Sequence, residues 1–145
     1  MDNFTPLVYI AGPITIPDPI WNTHDAIQVA ERLYNSGLCV PLVPHMNLLW
    51  HFIIPHDVEY WYAYDLAVMK RCEAVLRLPG ESKGAEAEIA QATKWQIPVF
   101  YDEESLMDWV QQVRDCTEQD AIFSGTLQFP PTGSIFGEQH DWEQA

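Results

Sequence analysis

The chain has 145 residues, of which 48% are apolar and 12% aromatic; at roughly 150 residues per domain this is one domain with enough apolar material for one core, and not a disordered chain. Seven Lys and Arg against 21 Asp and Glu leave a net charge of -14, which argues against a basic surface for a nucleic acid polymer or an anionic membrane and favours a small-molecule partner. No apolar run approaches the ~18 residues that span a bilayer, and the start Met-Asp-Asn-Phe-Thr-Pro lacks a basic region followed by an apolar stretch, so a cytoplasmic protein is expected. Cys39, Cys72 and Cys116 are odd in number and far apart, which indicates neither a disulfide framework nor a cysteine zinc site.

Leu7 to Ala11 is a short apolar run stopped by Gly12-Pro13, the pattern of a buried strand entering a tight turn. Asp18-Pro19 offers a cap and a first-turn proline, Ser36-Gly37 offers a stop, and Ala26, Val29, Ala30 and Leu33 make the apolar stripe of the helix between them. Residues 38–43 predict a second strand, placed at an edge or ended early by Pro41, which has no N–H for a ladder. Pro44 to His56, rich in Trp, His and Phe, is irregular and is expected to form a lid or a wall. A helix from about Asp57 to Cys72, a strand from Ala74 to Leu78, a loop from Pro79 to Gly84 and a helix from Ala85 to about Trp95 follow. Ile97 to Tyr101 predicts a fourth strand, and Glu103 to Asp115 a last helix with Leu106, Trp109, Val110 and Val113 inward.

Strands alternating with helices imply right-handed crossovers and a sheet covered on both faces. The expected fold is α/β, a Rossmann-like or flavodoxin-like three-layer sandwich with a mainly parallel sheet of four to five strands over residues 1–115. Residues 116–145 read as an acidic C-terminal extension whose Ile122, Phe123, Leu127, Phe129, Ile135, Phe136 and Trp142 could pack on a neighbouring subunit. Ligands of such sheets bind at the carboxyl ends of the strands, here Gly12-Pro13, Pro44-His45 and the loop from Pro79 to Gly84.

Two carboxylates stand in unexpected places. Helical spacing puts Asp65 on one stripe with Val58, Trp61, Tyr62, Met69 and Cys72, and puts Glu88 on a face with Ala85, Ile89 and Ala92, while Glu86 falls on the solvated side. A carboxylate among apolar groups must be paired, hydrogen-bonded or kept protonated, and active sites use the raised pKa that results. Each alone could be a structural acid at a helix margin; two on consecutive helices near one sheet edge favour a site, and a separation of ~5 Å would suit retaining glycosyl transfer. The loop Gly80-Glu81-Ser82-Lys83-Gly84 precedes a helix whose first amides could hold an anion such as phosphate, although the P-loop spacing is absent and Ser82 could be an ordinary cap. Lys70, Arg71, Arg77, Lys83 and Lys94 place five of the seven basic residues between 70 and 94, and are expected around this loop. His45, His51 and His56 have spacings that suit no zinc signature, so no metal is expected. Trp50, Phe52, Trp61, Tyr62 and Tyr64 could stack on a flat heterocycle or form a second core layer.

Tyr9-Ile10-Ala11-Gly12-Pro13, then Tyr64-Asp65 before Glu73-Ala74-Val75-Leu76, then Ser82-Lys83-Gly84-Ala85-Glu86-Ala87-Glu88-Ile89, and last Ala92 with Ile97-Pro98-Val99-Phe100 occur in this order. The pattern resembles the nucleoside 2-deoxyribosyltransferase-like superfamily, which includes 2'-deoxynucleoside and nucleoside 5'-monophosphate N-glycosidases. The resemblance implies that Glu88 attacks C1' of the sugar, that Asp65 holds or protonates the leaving base, and that Tyr9 orients Glu88. It implies that Gly12 and Pro13 let the first loop approach the substrate and that Ser82 and Gly84 belong to the substrate site, Ser82 on a phosphate. It also implies no metal and no organic cofactor, and a homodimer or higher homo-oligomer. The chain departs from the monophosphate hydrolases in having no Arg in its first loop, and in the longer insert from Pro44 to Asp57. Two readings of other classes remain open: a nucleotide-binding sensor module of the same fold without chemistry, and an assembly subunit with merely buried carboxylates.

Overall fold

The computed structural model describes residues 4–124. Its sheet has four parallel strands, β1 (Leu7–Ala11), β2 (Val40–Leu42), β3 (Ala74–Arg77) and β4 (Val99–Phe100), in the spatial order β2-β1-β3-β4. The described helices are α1 (Pro19–Asn35), α2 (Asn47–Ile53), α3 (Val58–Met69), α4 (Lys83–Lys94) and α5 (Glu103–Ser124), with a 3-10 turn over Pro44–Met46. This is the flavodoxin-like, doubly wound three-layer sandwich.

Strand alternation sorts the core into two halves. Val8, Ile10, Ala74 and Leu76 face α1 and α5 through Leu33, Leu106 and Val110, whereas Tyr9, Ala11 and Val75 face α3 and α4 through Met69, Ile89 and Ala92. Full burial of each larger aliphatic side chain stabilises the fold by about 1.5–3 kcal/mol. The register Ala11↔Arg77 and Tyr9↔Val75 puts Arg77 on the face that carries Tyr9. Helices α3 and α4 are thus packed side by side above a strand pair that presents Tyr9 and Arg77 toward them.

Local sequence explains the boundaries. Asp18 caps α1 by accepting from the N–H of Ile20 and Trp21, and Pro19 occupies the first turn. Pro41 lies in the short edge strand β2, where a missing donor is tolerated. Ser82 caps α4 by accepting from Ala85 N, so the helix begins at Lys83, two residues earlier than expected. The last helix continues beyond the expected end at Asp115 to Ser124, through the division expected at 115/116. No Gly or Pro interrupts residues 103–124, so Asp115 and Glu118, read as the start of an acidic tail, stand exposed on a helix. Arg114 ties α5 to the amino ends of the sheet, donating to the carbonyls of Phe4 and Gly37. Most of the expected extension, with Leu127, Phe129, Ile135, Phe136 and Trp142, lies outside the described residues.

Two expectations are corrected, and a third, the solvated Glu86, is met. The inward stripe of α3 is buried only from Asp65 onward, and Val58 is 79% exposed, because the first turns of α3 project above the sheet. Of the five basic residues expected around the β3–α4 loop, only Arg77 and Lys83 stand there. Helices of a parallel sheet run opposite to its strands, so Lys70, Arg71 and Lys94, at the carboxyl ends of α3 and α4, lie at the other edge of the sheet, where cations also meet the helix dipole favourably; Lys70 sits over the Trp95 ring. Glu86 is largely exposed yet takes a 2.9 Å ion pair from the buried Arg77.

Candidate functional site

The loops after β1, β2 and β3 enclose a cleft of about 670 Å³ at the carboxyl ends of the strands. Its size lies within the ~300–1,000 Å³ of small-molecule sites, and it stands at the β1/β3 junction, where the strand order reverses. Gly12, Pro13, Asp65, Ser82, Gly84 and Glu88, all singled out from the sequence, line it. Tyr9 lies beneath, fully buried, and its hydroxyl donates to Glu88 Oε1 at 2.8 Å.

Asp65 and Glu88 are 7% and 8% exposed, so both carboxyls have left bulk water. Burial pushes Glu88 up to about 7, opposed by the Tyr9 hydrogen bond and the positive charge of Arg77. Burial also pushes Asp65 up to about 7, the negative charge of Glu88 adds to this, and a hydrogen bond from Asn47 Nδ2 at 3.0 Å opposes it. The surroundings therefore divide the roles: a phenol and a guanidinium favour charge on Glu88, while a neutral amide and a neighbouring anion leave Asp65 as the group that keeps a proton. The two titrate as one system, in two steps that belong to the pair. Burial, with the nearby carboxylates, drives Tyr9 well above the usual phenol range, so it remains a donor.

Asn47 is the polar partner that sequence reasoning missed, while Arg77 was expected around the loop but not as a neighbour of Glu88. Arg77, 6% exposed, donates to the carbonyls of Leu78 and Gly80 and to Glu86, fastening the β3–α4 loop, and its Nε is buried without a partner among the described residues. Its place two residues after the buried Val75 on β3, on the same face of the sheet, was the available signal. Asn47 gave none, because its contact with Asp65 spans 18 residues from an irregular segment.

That segment, expected as a lid or wall, is a wall built by α2 and the first turns of α3. Leu48, His51, His56, Trp61 and Tyr62 line the cleft, and Trp61 packs edge-on against Trp50, His51 and His56. Phe52 and Tyr64 are instead exposed and do not line it, so no second core layer forms. His45 is buried and donates from Nε2 to the Pro13 carbonyl at 3.0 Å, fixing the first loop; burial lowers its pKa.

At the opposite end stand Ser82, Lys83 and Gly84. Nothing among the described residues accepts from the N–H of Lys83 or Gly84, the ordinary state of helix-start amides. A Cβ at Gly84 would meet only Ser82 Oγ, at 3.9 Å, so packing does not require glycine there although it weakens the helix by up to about 1 kcal/mol. Gly80 differs: its φ of +115° and a Cβ position 2.8 Å from Pro13 Cγ show that the two loops touch through it. Gly80→Ala is expected to destabilise the protein by about 1–3 kcal/mol in urea unfolding.

Among the described residues no group of three or more His, Cys, Asp or Glu is disposed to hold a metal ion, and no helix is long and apolar enough to cross a membrane. Burial pushes the free thiols of Cys39 and Cys72 up to about 11, away from nucleophilic use.

Fold and site together define a doubly wound α/β protein with a paired-carboxyl cleft at its strand ends. The chain belongs to the family described as Domain of unknown function (DUF4406), whose model matches residues 6–101 and so includes every residue of the cleft. No curated protein and no solved structure matches it.

Proposed function

We propose that the protein cleaves or exchanges the N-glycosidic bond of a nucleoside or nucleoside 5'-monophosphate through a glycosyl ester on Glu88. The observation that carries this is the division of labour between two buried carboxyls in one cleft: Glu88 favoured as the anion by Tyr9 and Arg77, Asp65 favoured as the acid. Glu88 attacks C1', the C1'–N bond breaks with its electron pair passing to the base, and the proton of Asp65 goes to that base. Water, or a second base, then attacks C1' and expels Glu88, while the Asp65 carboxylate takes the proton the attacking group sheds.

The two ends of the cleft support the substrate class. The aromatic wall of Trp61, His56 and Tyr62 suits a flat base, and the Ser82 hydroxyl, the two free amides and Lys83 suit a phosphate or sugar hydroxyl, with the carboxyls between. A cytoplasmic setting and self-association into a dimer or larger assembly belong to the same proposal.

The test is chromatography of the protein incubated with a panel of nucleosides and 5'-monophosphates, with and without a second free base. Free base is the expected product, and a new nucleoside in the two-base samples would define a transferase. Saturable binding with no product from any substrate would overturn the reaction and leave a sensor.

A further inference from the structure

An indole Nε1 can only donate. That of Trp61 meets His51 Nδ1 at 2.9 Å, and the backbone N–H of His56 approaches the same atom at 3.3 Å. His51 Nδ1 therefore offers its lone pair, and in the neutral ring the proton resides on Nε2. Among the described residues nothing accepts from that Nε2–H, and His51 lines the cleft. Its ring is held in place by the Trp61 hydrogen bond and by an edge-on contact with centroids 6.0 Å apart. Trp61 and Asp65 are four apart on α3, so they share a face about 6 Å apart along the axis. Asn47 and His51, likewise four apart on α2, bond Asp65 and Trp61 respectively, so a heterocycle lying against Trp61 has Asp65 toward one edge and His51 toward the other.

We propose that His51 Nε2–H is the donor that recognises the leaving base at the edge remote from the glycosidic bond, so that the cleft selects heterocycles with a carbonyl oxygen or an unprotonated ring nitrogen there. This rests on the N-glycosidic reading of the same cleft. The hydrogen bond also acts in the reaction. As the C1'–N bond breaks, its electron pair enters the ring; Asp65 gives its proton at the near nitrogen, and His51, keeping its own proton, holds the negative charge that develops at the far acceptor. Its contribution is therefore larger in the transition state than in the bound ground state.

The experiment is calorimetric titration of wild type, His51→Phe and His51→Gln with two free bases of one fused-ring shape: hypoxanthine, which carries a carbonyl and one unprotonated ring nitrogen on its six-membered ring, and benzimidazole, which has no acceptor there. His51→Phe keeps a ring in the wall and is expected to weaken hypoxanthine about tenfold while changing benzimidazole less than about twofold. His51→Gln, whose amide can donate, is expected to retain part of the preference. Equal weakening of both bases, no weakening of either, or no binding of hypoxanthine by the wild type would overturn the proposal. Should His51→Phe fail to fold, Trp61→Phe removes the shorter of the two hydrogen bonds that fix the tautomer and the ring; it is expected to narrow the preference, and an unchanged preference would count against His51. Base release measured on the same samples separates the two ideas. Histidine-dependent discrimination without any cleavage overturns the reaction alone, and cleavage that His51→Phe leaves untouched overturns the histidine alone.

Discussion

Glu88→Ala is expected to lower base release at least about a thousandfold in the substrate panel, the loss typical when a covalent nucleophile is removed. Glu88→Gln should be equally inactive. Its amide oxygen can still accept from the Tyr9 hydroxyl, which in the native protein bonds Glu88 Oε1 at 2.8 Å, so inactivity there cannot be assigned to a disturbed hydrogen bond. Both variants should fold, because the substitution removes an ionisable group that burial had pushed up to about 7 and therefore relieves an electrostatic cost. The cleft should also still bind ligand, so that affinity survives where turnover does not.

Asp65→Asn is expected to make the protein more stable and far less active. The asparagine retains an oxygen for the Asn47 amide, which donates to Asp65 Oδ1 at 3.0 Å, and it has no charge to desolvate. The sign with pH follows from a carboxyl moved from 3.8 to about 7 on folding. Below about pH 3 the group is protonated in both folded and unfolded chains and contributes no penalty. As pH rises toward 7 the unfolded chain loses the proton and the folded one keeps it, so native stability falls; above 7 the penalty is complete and constant. The gain of Asp65→Asn over wild type should therefore be small near pH 3 and reach roughly 4 kcal/mol above pH 7 in urea unfolding. The difference between the two proteins is the quantity to measure. In the wild type alone, His45, whose pKa burial lowers from 6.5, adds an opposite trend, since its unfolded form takes up a proton below about pH 6.5 that the folded form refuses. A flat difference, or a less stable variant at pH 8, would contradict the raised pKa. Activity should drop by about a hundredfold or more, the usual worth of a general acid. The wild-type rate should show a bell against pH, with the limb due to Asp65 absent in the variant.

The pair behind both results was legible because helical spacing is a strong code. Asp65 stands four residues before Met69, and Glu88 stands between Ala85 and Ala92; all are buried together. The strands were legible as apolar runs ended by glycine or proline, and Pro41 was correctly read as an edge or early-ending signal. What escaped was set by contacts between distant segments. Nothing local marks Asn47 as the partner of Asp65, and α2 is a helix of two turns whose Trp, His and Phe follow no core stripe, none of its residues being buried. The true extent of α5 was hidden by composition, since acidic residues on a solvated helix face look the same in sequence as an acidic tail. Counting basic residues between 70 and 94 without noticing that α3 and α4 end at the far edge of the sheet produced a patch of five where only Arg77 and Lys83 stand at the loop.

The proposed covalent role of Glu88 is tested most directly by acid-quenched intact-mass measurement of the wild type and Glu88→Ala, each mixed with whichever nucleoside or 5'-monophosphate of the panel releases base fastest. A gain equal to one glycosyl group on the wild type, located by proteolysis to the peptide containing Glu88 and absent from the variant, is the predicted result. A glycosyl group on any other residue, or base release undiminished in Glu88→Ala, would contradict it.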